Sequence, residues 1–471
     1  MSSNHLSQGS SELMVGVSGV RGVVGEALTP DVVMQFVQAY AHYLIAQGLN
    51  RPKVLVARDT RPTGQALHHI VKGALLTSGC DVVDLDIVTT PTLQLAVPFH
   101  NAHGAICITA SHNPIEWNAL KFFQPGGMYL DKTQGAQVIR CYEEKSFRAV
   151  GWGDIGQETV DSEASARHIE AIFKLVDVEL IRRKNFHVVL DGCNGAGNVI
   201  SHRVLDMLGC KVSRINEKLD GHFTHNPEPL NENMVELMAE VRRVGADIGF
   251  AHDADADRVA IVTNQSVPCG EDFSLVWAVA HVLKNRRQGT VVTNLSTTMA
   301  VDAVAHLHGC EVVRTPVGDV NVSSKMRDLG AVIGGEGNGG VIIPDVQYGR
   351  DGVASIALVL EFLATENQSA QQIHESLPRY FNIKSTIFFP RERIDELFAH
   401  LKAREESARI NEDDGLKFEW PRQGTTQSWV HIRPSGTEPF VRVICEAQSE
   451  SDAKKIQKTM RAEIESLCTT F

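Results

Sequence analysis

The sequence predicts an α/β protein with three related α/β domains followed by a smaller C-terminal α+β domain. Three observations support this fold class. Short β-branched runs such as residues 53–59 alternate with amphipathic helical stretches from about residue 14 to 365, as in βαβ units with mostly parallel sheets. Two sequence landmarks recur three times within this region, and the pattern changes from about residue 385.

The first landmark is a helix that ends in Gly-Cys before a strand, in segments that begin at Thr77, Met207 and Leu307. The second is a helix that ends in Gly-Ala before another apolar strand, at Gly104, Gly245 and Gly330. Each Gly-Ala glycine is predicted to cap its helix in a left-handed conformation. The loops that follow are T-A-S-H-N-P, D-A-D-A-D-R and G-E-G-N-G-G. Since ligands bind beyond the carboxyl ends of parallel strands, these loops are expected to face one cleft.

The repeat also predicts the domain boundaries. Residues 1–11 are polar and small, so they are expected to form a frayed tail. The α/β domains are predicted at residues 12–155, 156–266 and 267–380. The remaining residues, 381–471, are predicted to form the α+β domain, in which no fourth copy of the repeat is visible.

Composition excludes several classes of function. The formal net charge of −12 makes general nucleic-acid or anionic-membrane binding a poor fit, although a phosphorylated substrate needs only local positive charge. No run of 18 apolar residues and no signal-peptide pattern is present. The nine cysteines are odd in number and contain no C-x-x-C pair, so reduced thiols in a cytoplasm are expected.

Ser111 lies in the T-A-S-H-N-P segment, on the turn that leaves a strand, with His112 beside it. A serine in this position could be an activated nucleophile. The alternative is a purely structural turn made by Ser111 and Asn113. No G-x-S-x-G elbow surrounds Ser111, which argues against a serine hydrolase.

Three carboxylates alternate in the D-A-D-A-D-R loop, at Asp253, Asp255 and Asp257. In an extended backbone they would point the same way, and their repulsion would be relieved by a hard cation such as Mg²⁺. The alternative is a solvated acidic loop, which the apolar segments on either side of the motif argue against. An EF-hand is excluded because Arg258 and Asn264 occupy its required glycine and glutamate positions. A phosphatase that uses Asp253 as nucleophile would leave the other motifs unexplained.

Two further loops suggest sugar and phosphate binding. Glu336 in G-E-G-N-G-G could accept hydrogen bonds from sugar hydroxyls, or the loop could be only a glycine-rich turn. The segment R-P-S-G-T-E-P at 433–439, followed by Arg442, has the chemistry of a phosphate grip, with a plain turn as the alternative. Further cations are expected to make the cleft locally basic. The cations in this set are Arg21, Arg58, Arg61, Lys121, Arg258, Arg433 and Arg442.

The four motifs occur in the order in which they are found in the α-D-phosphohexomutase family, which the sequence resembles from about residue 16 to the last helix. The resemblance implies four domains around a central cleft, the first three similar and built on mixed sheets. It also implies an isomerase that interconverts hexose 6-phosphate and hexose 1-phosphate. The reaction would pass through a phosphoserine and a hexose 1,6-bisphosphate, which is both intermediate and activator.

The resemblance also implies a role for each matching residue. Ser111 would carry the phosphoryl group and, with Asp253, Asp255 and Asp257, would complete the Mg²⁺ shell. The catalytic set would include His112, Lys121, Arg258 and Arg21, with Lys121 and Arg258 as candidates for proton transfer or leaving-group stabilisation. The substrate would be held by Glu336, Asn338, Arg433, Ser435, Gly436, Thr437 and Arg442.

Two departures from the family pattern concern the metal and sugar loops. The common D-G-D-G-D-R is here D-A-D-A-D-R, and Ala254 and Ala256 are expected to keep an extended backbone. The sugar loop lacks the histidine of G-E-x-S-G-H and favours the glucosamine branch of the family, with mannose or glucose phosphate as the alternative.

The predicted partner is therefore a small phosphosugar, with no nucleic acid and no membrane, and the protein is expected to be a cytoplasmic monomer or homodimer. The rival interpretation is a catalytically silent sugar-phosphate binding protein on the same fold. Ser111 and the intact aspartate trio argue against it, because binding alone needs neither. A phosphatase that passes the phosphoryl group to water is the third interpretation.

Overall fold

The computed structural model describes residues 12–16, 19–405, 407–422, 425–435 and 439–468. The chain forms four sheets in sequence order, each covered by helices of the same region. The first sheet has seven strands, the second and third have four each, and the last has five.

The first sheet has the strand order β1-β2-β6-β5-β3-β4-β7. Its strands are β1 (Met14–Gly16), β2 (Gly19–Val23), β3 (Lys53–Arg58), β4 (Asp81–Ile87), β5 (Gly104–Ile108), β6 (Trp117–Phe123) and β7 (Glu158–Val160). Its helices are α1 (Pro30–Ala46), α2 (Gly64–Thr77), α3 (Thr90–Phe99) and α4 (Lys132–Glu143).

The second sheet has the order β11-β10-β8-β9, and the third has the order β13-β12-β14-β15. The second region contains α5 (Ala164–Leu175), α6 (Val178–Arg182), β8 (His187–Asp191), α7 (Ser201–Met207), β9 (Lys211–Ile215), α8 (Val235–Val244), β10 (Ile248–His252) and β11 (Val259–Thr263). The third contains α9 (Phe273–His281), β12 (Val291–Asn294), α10 (Ala300–Leu307), β13 (Val312–Thr315), α11 (Asp319–Leu329), β14 (Ile333–Glu336), β15 (Gly340–Ile342), α12 (Gly352–Glu366) and α13 (Ala370–Ser376).

The three α/β regions share one four-stranded core. The cores are β4-β3-β5-β6, β9-β8-β10-β11 and β13-β12-β14-β15. In each core the first two pairings are parallel and the third is antiparallel. The sheets are therefore mixed, and the predicted fold class with three related domains is confirmed.

The prediction that each Gly-Ala glycine caps a helix is right for two copies and wrong for the third. Gly245 and Gly330 end α8 and α11 in the left-handed region, with φ of 63° and 61°. Gly104 instead opens β5, and Asn101 takes the positive φ after α3. A Cβ at Gly104 would lie 1.9 Å from the Tyr40 hydroxyl, so close packing rather than capping requires glycine there.

The last sheet is antiparallel and has the order β16-β20-β19-β18-β17. Its elements are β16 (Phe381–Phe388), α14 (Ile394–Arg404), β17 (Arg409–Asn411), β18 (Leu416–Arg422), β19 (Thr425–Pro434), β20 (Phe440–Ala447) and α15 (Glu450–Cys468). This region has its own apolar core, as expected for an independent α+β unit.

The second and third regions share their largest apolar core, which includes Leu190 of β8, Ile333 of β14 and much of α12. The first region joins them through His168 of α5. This buried imidazole lies 2.8 Å from Thr92 of α3 and 2.8 Å from Asp351, which caps α12. The loops after β5, β10 and β14 therefore extend from strands that are packed in these cores. Among the described residues, no helix is long and apolar enough to cross a membrane.

Candidate active site

The loops that follow β5, β10 and β14 meet at one cavity of about 670 Å³. Ser111, Arg258 and Glu336 line it from the three α/β regions, and Arg433 lines it from the C-terminal sheet. This convergence follows from the repeated topology, because each loop leaves the same edge of an equivalent sheet.

Ser111 is held in a strained position that directs its hydroxyl toward the D-A-D-A-D-R loop. Its φ is 50°, in the left-handed region that serine rarely adopts. The backbone N–H donates to Thr109 Oγ1 at 3.0 Å. The hydroxyl donates to Asp253 Oδ2 at 2.8 Å and lies 3.3 Å from His112 Nδ1. An outlier of this kind is typical of a functional position.

Arg61 fixes the serine loop from beneath, a role that the sequence analysis missed. Its guanidinium is fully buried and donates to the carbonyl oxygens of Ser111 and Asn113 at 2.8 and 2.7 Å. It also donates to the carbonyl oxygens of Pro114 and Trp117. Arg61 thus supports the loop from below and does not line the cavity. The sequence signal that could have indicated this role is the position of Arg61 just after β3, at the edge of the sheet where the site lies.

The three aspartates converge as predicted, but through a turn. One oxygen of each of Asp253, Asp255 and Asp257 lies within 4.8 Å of the others, and all three residues are buried. The expectation of an extended backbone was wrong, since Ala256 has a φ of 54°. A left-handed alanine costs about 1–2 kcal/mol, which explains why glycine is comfortable at this position.

Each aspartate has one oxygen held by a neighbouring side chain. Asp255 Oδ2 accepts from Lys121 Nζ at 2.7 Å and from Thr90 Oγ1 at 2.6 Å. Asp257 Oδ2 accepts from Arg350 at 2.6 Å. The other oxygens of Asp255 and Asp257 are buried without a hydrogen-bond partner. Buried unpaired carboxylate oxygens are costly, and a hard divalent cation is the partner that suits them. The residues therefore fit a metal ion.

Burial and charge set the protonation of this cluster. Burial, reinforced by the neighbouring Asp257 and Asp255, raises the pKa of Asp253 well above its ordinary value. Burial alone would also raise the pKa of Asp255, but the ammonium of Lys121 and the donated hydrogen bonds outweigh it, so that pKa is lowered. A cation among the three carboxylates would remove the repulsion that Asp253 feels.

Several basic side chains line the cavity close to the carboxylates. Burial, followed by the positive charges of Arg258, Arg350 and other cations, lowers the pKa of His112 to about 2, so this imidazole is neutral near pH 7. Arg258 is buried, and its Nε lies 3.7 Å from Asp257 Oδ1 and 3.9 Å from Asp253 Oδ2. Arg21 Nη1 lies 3.5 Å from the Asn113 side-chain oxygen.

The predicted basic cleft is partly corrected. The cations that line the cavity include Arg21, Lys121, Arg258, Arg433 and Arg442. Arg58 pairs with Asp86 at 2.9 Å outside the cavity, and Arg61 lies under the serine loop. Burial and the nearby Arg442 lower the pKa of Arg21, which shows how closely the cations are placed. An anionic ligand would relieve their repulsion.

Glu336 is fixed by donors on both of its carboxylate oxygens. Oε1 accepts from Asn294 at 2.9 Å and from the backbone N–H of Gly318 at 3.0 Å. Oε2 accepts from Arg350 at 3.0 Å and lies 3.5 Å from the Asn338 amide nitrogen. Glu336 is therefore a pre-oriented carboxylate, and it lines the cavity together with Asn338.

The C-terminal region contributes Arg433, Ser435 and Arg442 to the cavity lining. Gly436 and Thr437, the other predicted phosphate-binding residues, lie outside the described residues. Asp414 lies in the turn before β18, and its Oδ2 is 2.8 Å from Arg433 Nε. The same oxygen accepts from the Val317 N–H at 2.9 Å, so one carboxylate connects Arg433 with the loop before α11.

Several cavity residues carried no motif in the sequence. Arg350 and Asp319 line the cavity, and burial raises the pKa of Asp319 to about 7 although Arg350 opposes the shift. Lys132 and Asn321 also line it. Lys132 and Asp319 open α4 and α11, Asn321 lies in the first turn of α11, and Arg350 lies two residues before α12. Many residues without a function share such positions.

Comparisons with known proteins match the whole architecture. The family models for phosphoglucomutase/phosphomannomutase α/β/α domains I, II and III match residues 12–149, 166–266 and 271–381. The model for the C-terminal domain of the same family matches residues 389–463.

Similar proteins cover nearly the full chain. A phosphoglucomutase/phosphomannomutase from Thermococcus kodakarensis is 37% identical over 445 residues, which cover 94% of this chain and 96% of that protein. A probable phosphoglucosamine mutase from Methanopyrus kandleri is 36% identical over 445 residues, or 94% of this chain and 95% of that protein. The crystal structure of a phosphoglucomutase/phosphomannomutase family protein from Burkholderia thailandensis superposes with a TM-score of 0.84 at 26% identity and covers 97% of this chain and 99% of that one. The chain therefore belongs to the phosphoglucomutase/phosphomannomutase family, whose members are phosphohexomutases and thus isomerases.

Proposed function

We propose that the protein interconverts hexose 6-phosphate and hexose 1-phosphate through a phosphoserine at Ser111 and a hexose 1,6-bisphosphate. The observation that carries this proposal is the 2.8 Å contact between the Ser111 hydroxyl and Asp253, within a carboxylate trio at a basic cavity. The acceptor sugar hydroxyl would take the phosphoryl group as the P–O bond to Ser111 breaks, and the net proton transfer would be from that hydroxyl to the Ser111 oxygen. The bisphosphate would then return its other phosphoryl group to the Ser111 oxygen, and the proton would pass to the sugar oxygen that is released.

The chain's own residues have separable parts in this reaction. Asp253, Asp255 and Asp257 would hold Mg²⁺ together with an oxygen of the phosphorylated Ser111. When bound, the ion would supply neutralisation of charge on the transferring phosphoryl group. Burial lowers the pKa of Lys121, but the charge of Asp255 outweighs it and the pKa is raised, so Lys121 fits charge stabilisation better than proton removal.

Two sets of residues would bind the substrate, one at the sugar and one at the phosphate that does not react. Glu336 and Asn338 would hold sugar hydroxyls, and the phosphate that does not react would bind Arg433, Ser435, Gly436, Thr437 and Arg442. Because the phosphoryl groups at both ends of the bisphosphate must react with Ser111 in turn, the phosphate-binding residues have to accept the sugar in two orientations. A small C-terminal domain that opens and closes suits this requirement.

The substrate that we favour is glucosamine 6-phosphate and its 1-phosphate, as for a phosphoglucosamine mutase. The identity to several proteins named probable phosphoglucosamine mutase supports this choice. A phosphoglucomutase/phosphomannomutase is the second candidate, supported by the relative from Thermococcus kodakarensis. A panel of kcat/KM values on glucosamine, glucose, mannose and N-acetylglucosamine phosphates would decide between them, and absence of turnover on all four would refute the mutase.

We infer further that the protein is cytoplasmic and acts on its small phosphosugar without a nucleic-acid or membrane partner. All nine cysteines are free thiols, which supports a reducing compartment. The domain boundaries at residues 155, 266 and 380 and the monomeric or homodimeric state remain predictions.

Replacing Glu336 by alanine is expected to raise KM for the hexose phosphate by at least 10-fold. The reason is that the variant removes a carboxylate fixed by Asn294 and Arg350, while the reacting serine loop is unchanged. Phosphorylation of Ser111 by a hexose 1,6-bisphosphate, followed by intact-mass spectrometry, should suffer much less, within about threefold. Glu375→Ala, at an exposed glutamate of α13, is the control. Equal losses in both measurements would refute the proposed role of Glu336.

A further inference from the structure

The guanidinium of Arg350 connects carboxylates from three different segments: Asp257 after β10, Asp319 at the start of α11 and Glu336 at the end of β14. Its Nη2 lies 2.6 Å from Asp257 Oδ2, its Nη1 3.0 Å from Glu336 Oε2 and its Nε 3.2 Å from Asp319 Oδ2. The exposed fraction of these four side chains is 10% or less. At this depth the carboxylates have little water to replace a lost cation, so Arg350 is needed to compensate their charge.

Gly340 is the residue over which the Arg350 side chain passes. A Cβ at position 340 would lie 2.2 Å from Arg350 Cδ and 3.0 Å from its Cγ. Gly340 lies in β15 and does not have a positive φ, so its backbone conformation does not require glycine. Space for Arg350 is the remaining reason, and the two residues form a matched pair.

The backbone of Arg350 is fixed on both sides. It pairs with Ile342 in an isolated bridge, and the N–H of Asp351 donates to Val341 O at 2.8 Å. Asp351 also caps α12, where its side chain accepts from the Ala354 N–H at 2.9 Å. The side chain of Arg350 therefore starts from a rigid base, and its path over Gly340 determines where the guanidinium lies.

We propose that Arg350 is a positioning residue. It holds the carboxylates of Glu336 in the sugar loop and Asp257 in the metal loop at a fixed position relative to each other, and Gly340 leaves the space through which the Arg350 side chain passes. Without the guanidinium, Glu336 Oε2 keeps only the distant Asn338 contact, and Asp257 Oδ2 loses its donor. Unpaired neighbouring carboxylates then repel each other and turn away from their present positions. The inference rests on the proposed function, because it assumes that these two loops serve one substrate.

A double-variant cycle tests the matched pair. Arg350→Met, Gly340→Ala and the combined variant are compared by calorimetry for the Kd of glucosamine 6-phosphate with Mg²⁺ present. Each single variant is expected to raise Kd by about 10- to 100-fold. The combined variant should be no worse than Arg350→Met, because both changes displace the same side chain. Additive losses would overturn the proposal, as would wild-type affinity of Gly340→Ala.

Arg287→Met is the matched control, since Arg287 is a half-exposed arginine of the same region that pairs with Asp345 at 2.8 Å. It should bind glucosamine 6-phosphate like wild type, and an equal loss there would overturn the assignment to Arg350. If Arg350→Met does not fold, Arg350→Lys retains the charge but does not reach three carboxylates with a planar fork. The lysine variant should bind at least 10-fold more weakly than wild type, and equal binding would contradict the proposal.

Chemical rescue separates positioning from general stability. Guanidinium ions should restore part of the sugar-phosphate affinity of Arg350→Ala, in which the truncated side chain leaves space for the ion, whereas ammonium ions should not. Rescue by neither ion, or by both equally, would count against the proposal. If wild type binds the sugar phosphate but never turns it over, the proposed function fails while the Kd cycle still tests Arg350.

Discussion

Replacing Ser111 by alanine is expected to lower mutase turnover by roughly four to six orders of magnitude, the range seen when a covalent nucleophile is removed. The physical reason is that the variant lacks the side-chain oxygen to which the phosphoryl group is bound between its two transfers. Sugar-phosphate binding should remain, because Glu336 and Arg433 are untouched. A coupled assay for the hexose 1-phosphate measures the loss, and intact-mass spectra should show the added mass of one phosphoryl group in wild type only.

Ser162→Ala is the appropriate control for this experiment. Ser162 is exposed before α5, and its hydroxyl lies 3.3 Å from Glu163. This variant should turn over like wild type. Wild-type turnover by Ser111→Ala on every hexose phosphate tested would end the mutase hypothesis, and a phosphate-free Ser111 in the wild-type protein would favour a phosphatase or a silent binding protein.

Replacing Asp253 by asparagine is expected to weaken Mg²⁺ binding by at least about 100-fold, the upper end of what even outer-shell losses cost at metal sites. Asparagine preserves the shape and an acceptor for the Ser111 hydroxyl, but it removes one of three converging charges. Turnover should fall accordingly, and a chelator should abolish wild-type turnover until Mg²⁺ is restored. Asp206→Asn, at an exposed aspartate of α7, is the control. Full activity of chelated wild type would contradict the metal assignment.

The same variant gives a pH prediction. Because the pKa of Asp253 is raised in the folded metal-free protein, protonation stabilises that protein at low pH. This stability is lost as pH rises above the ordinary carboxyl value of about 4 and through the raised pKa. In chelator, the melting temperature of wild type should therefore fall relative to Asp253→Asn as pH rises. Mg²⁺ should reverse the trend, and parallel pH curves for the two proteins would refute this account.

The architecture could be predicted because short local sequence patterns recur in each of the three α/β regions. The Gly-Cys and Gly-Ala landmarks mark helix ends and strand starts, and the shared topology then places three loops at one edge. Asp253 and its two partners converged as predicted, yet the reason given was wrong, since Ala256 turns the loop through a left-handed residue. Whether a turn or an extended segment brings carboxylates together depends on packing that spacing alone does not encode.

The roles that sequence reasoning missed belong to arginines that act on distant partners. Arg61 holds carbonyl oxygens some fifty positions away, and Arg350 reaches Asp257 across ninety-three positions. No local pattern distinguishes such an arginine from one on the surface. Gly340 illustrates the difficulty. Its φ is not positive, so the reason for a glycine there is the close approach of the Arg350 side chain, and that approach is visible only in the folded structure.

If Arg433 binds the substrate phosphate as we propose, the carboxylate of Asp414 occupies its guanidinium until that phosphate binds. By pairing with Arg433 Nε and accepting from the Val317 N–H, it keeps the guanidinium ordered before any phosphate arrives. Binding then costs less conformational entropy, since one long side chain is already restrained. In the proposed reaction, an opening of the C-terminal region away from Val317 would break this contact. The charge that orders Arg433 would then also contribute to how often the bisphosphate is free to turn around.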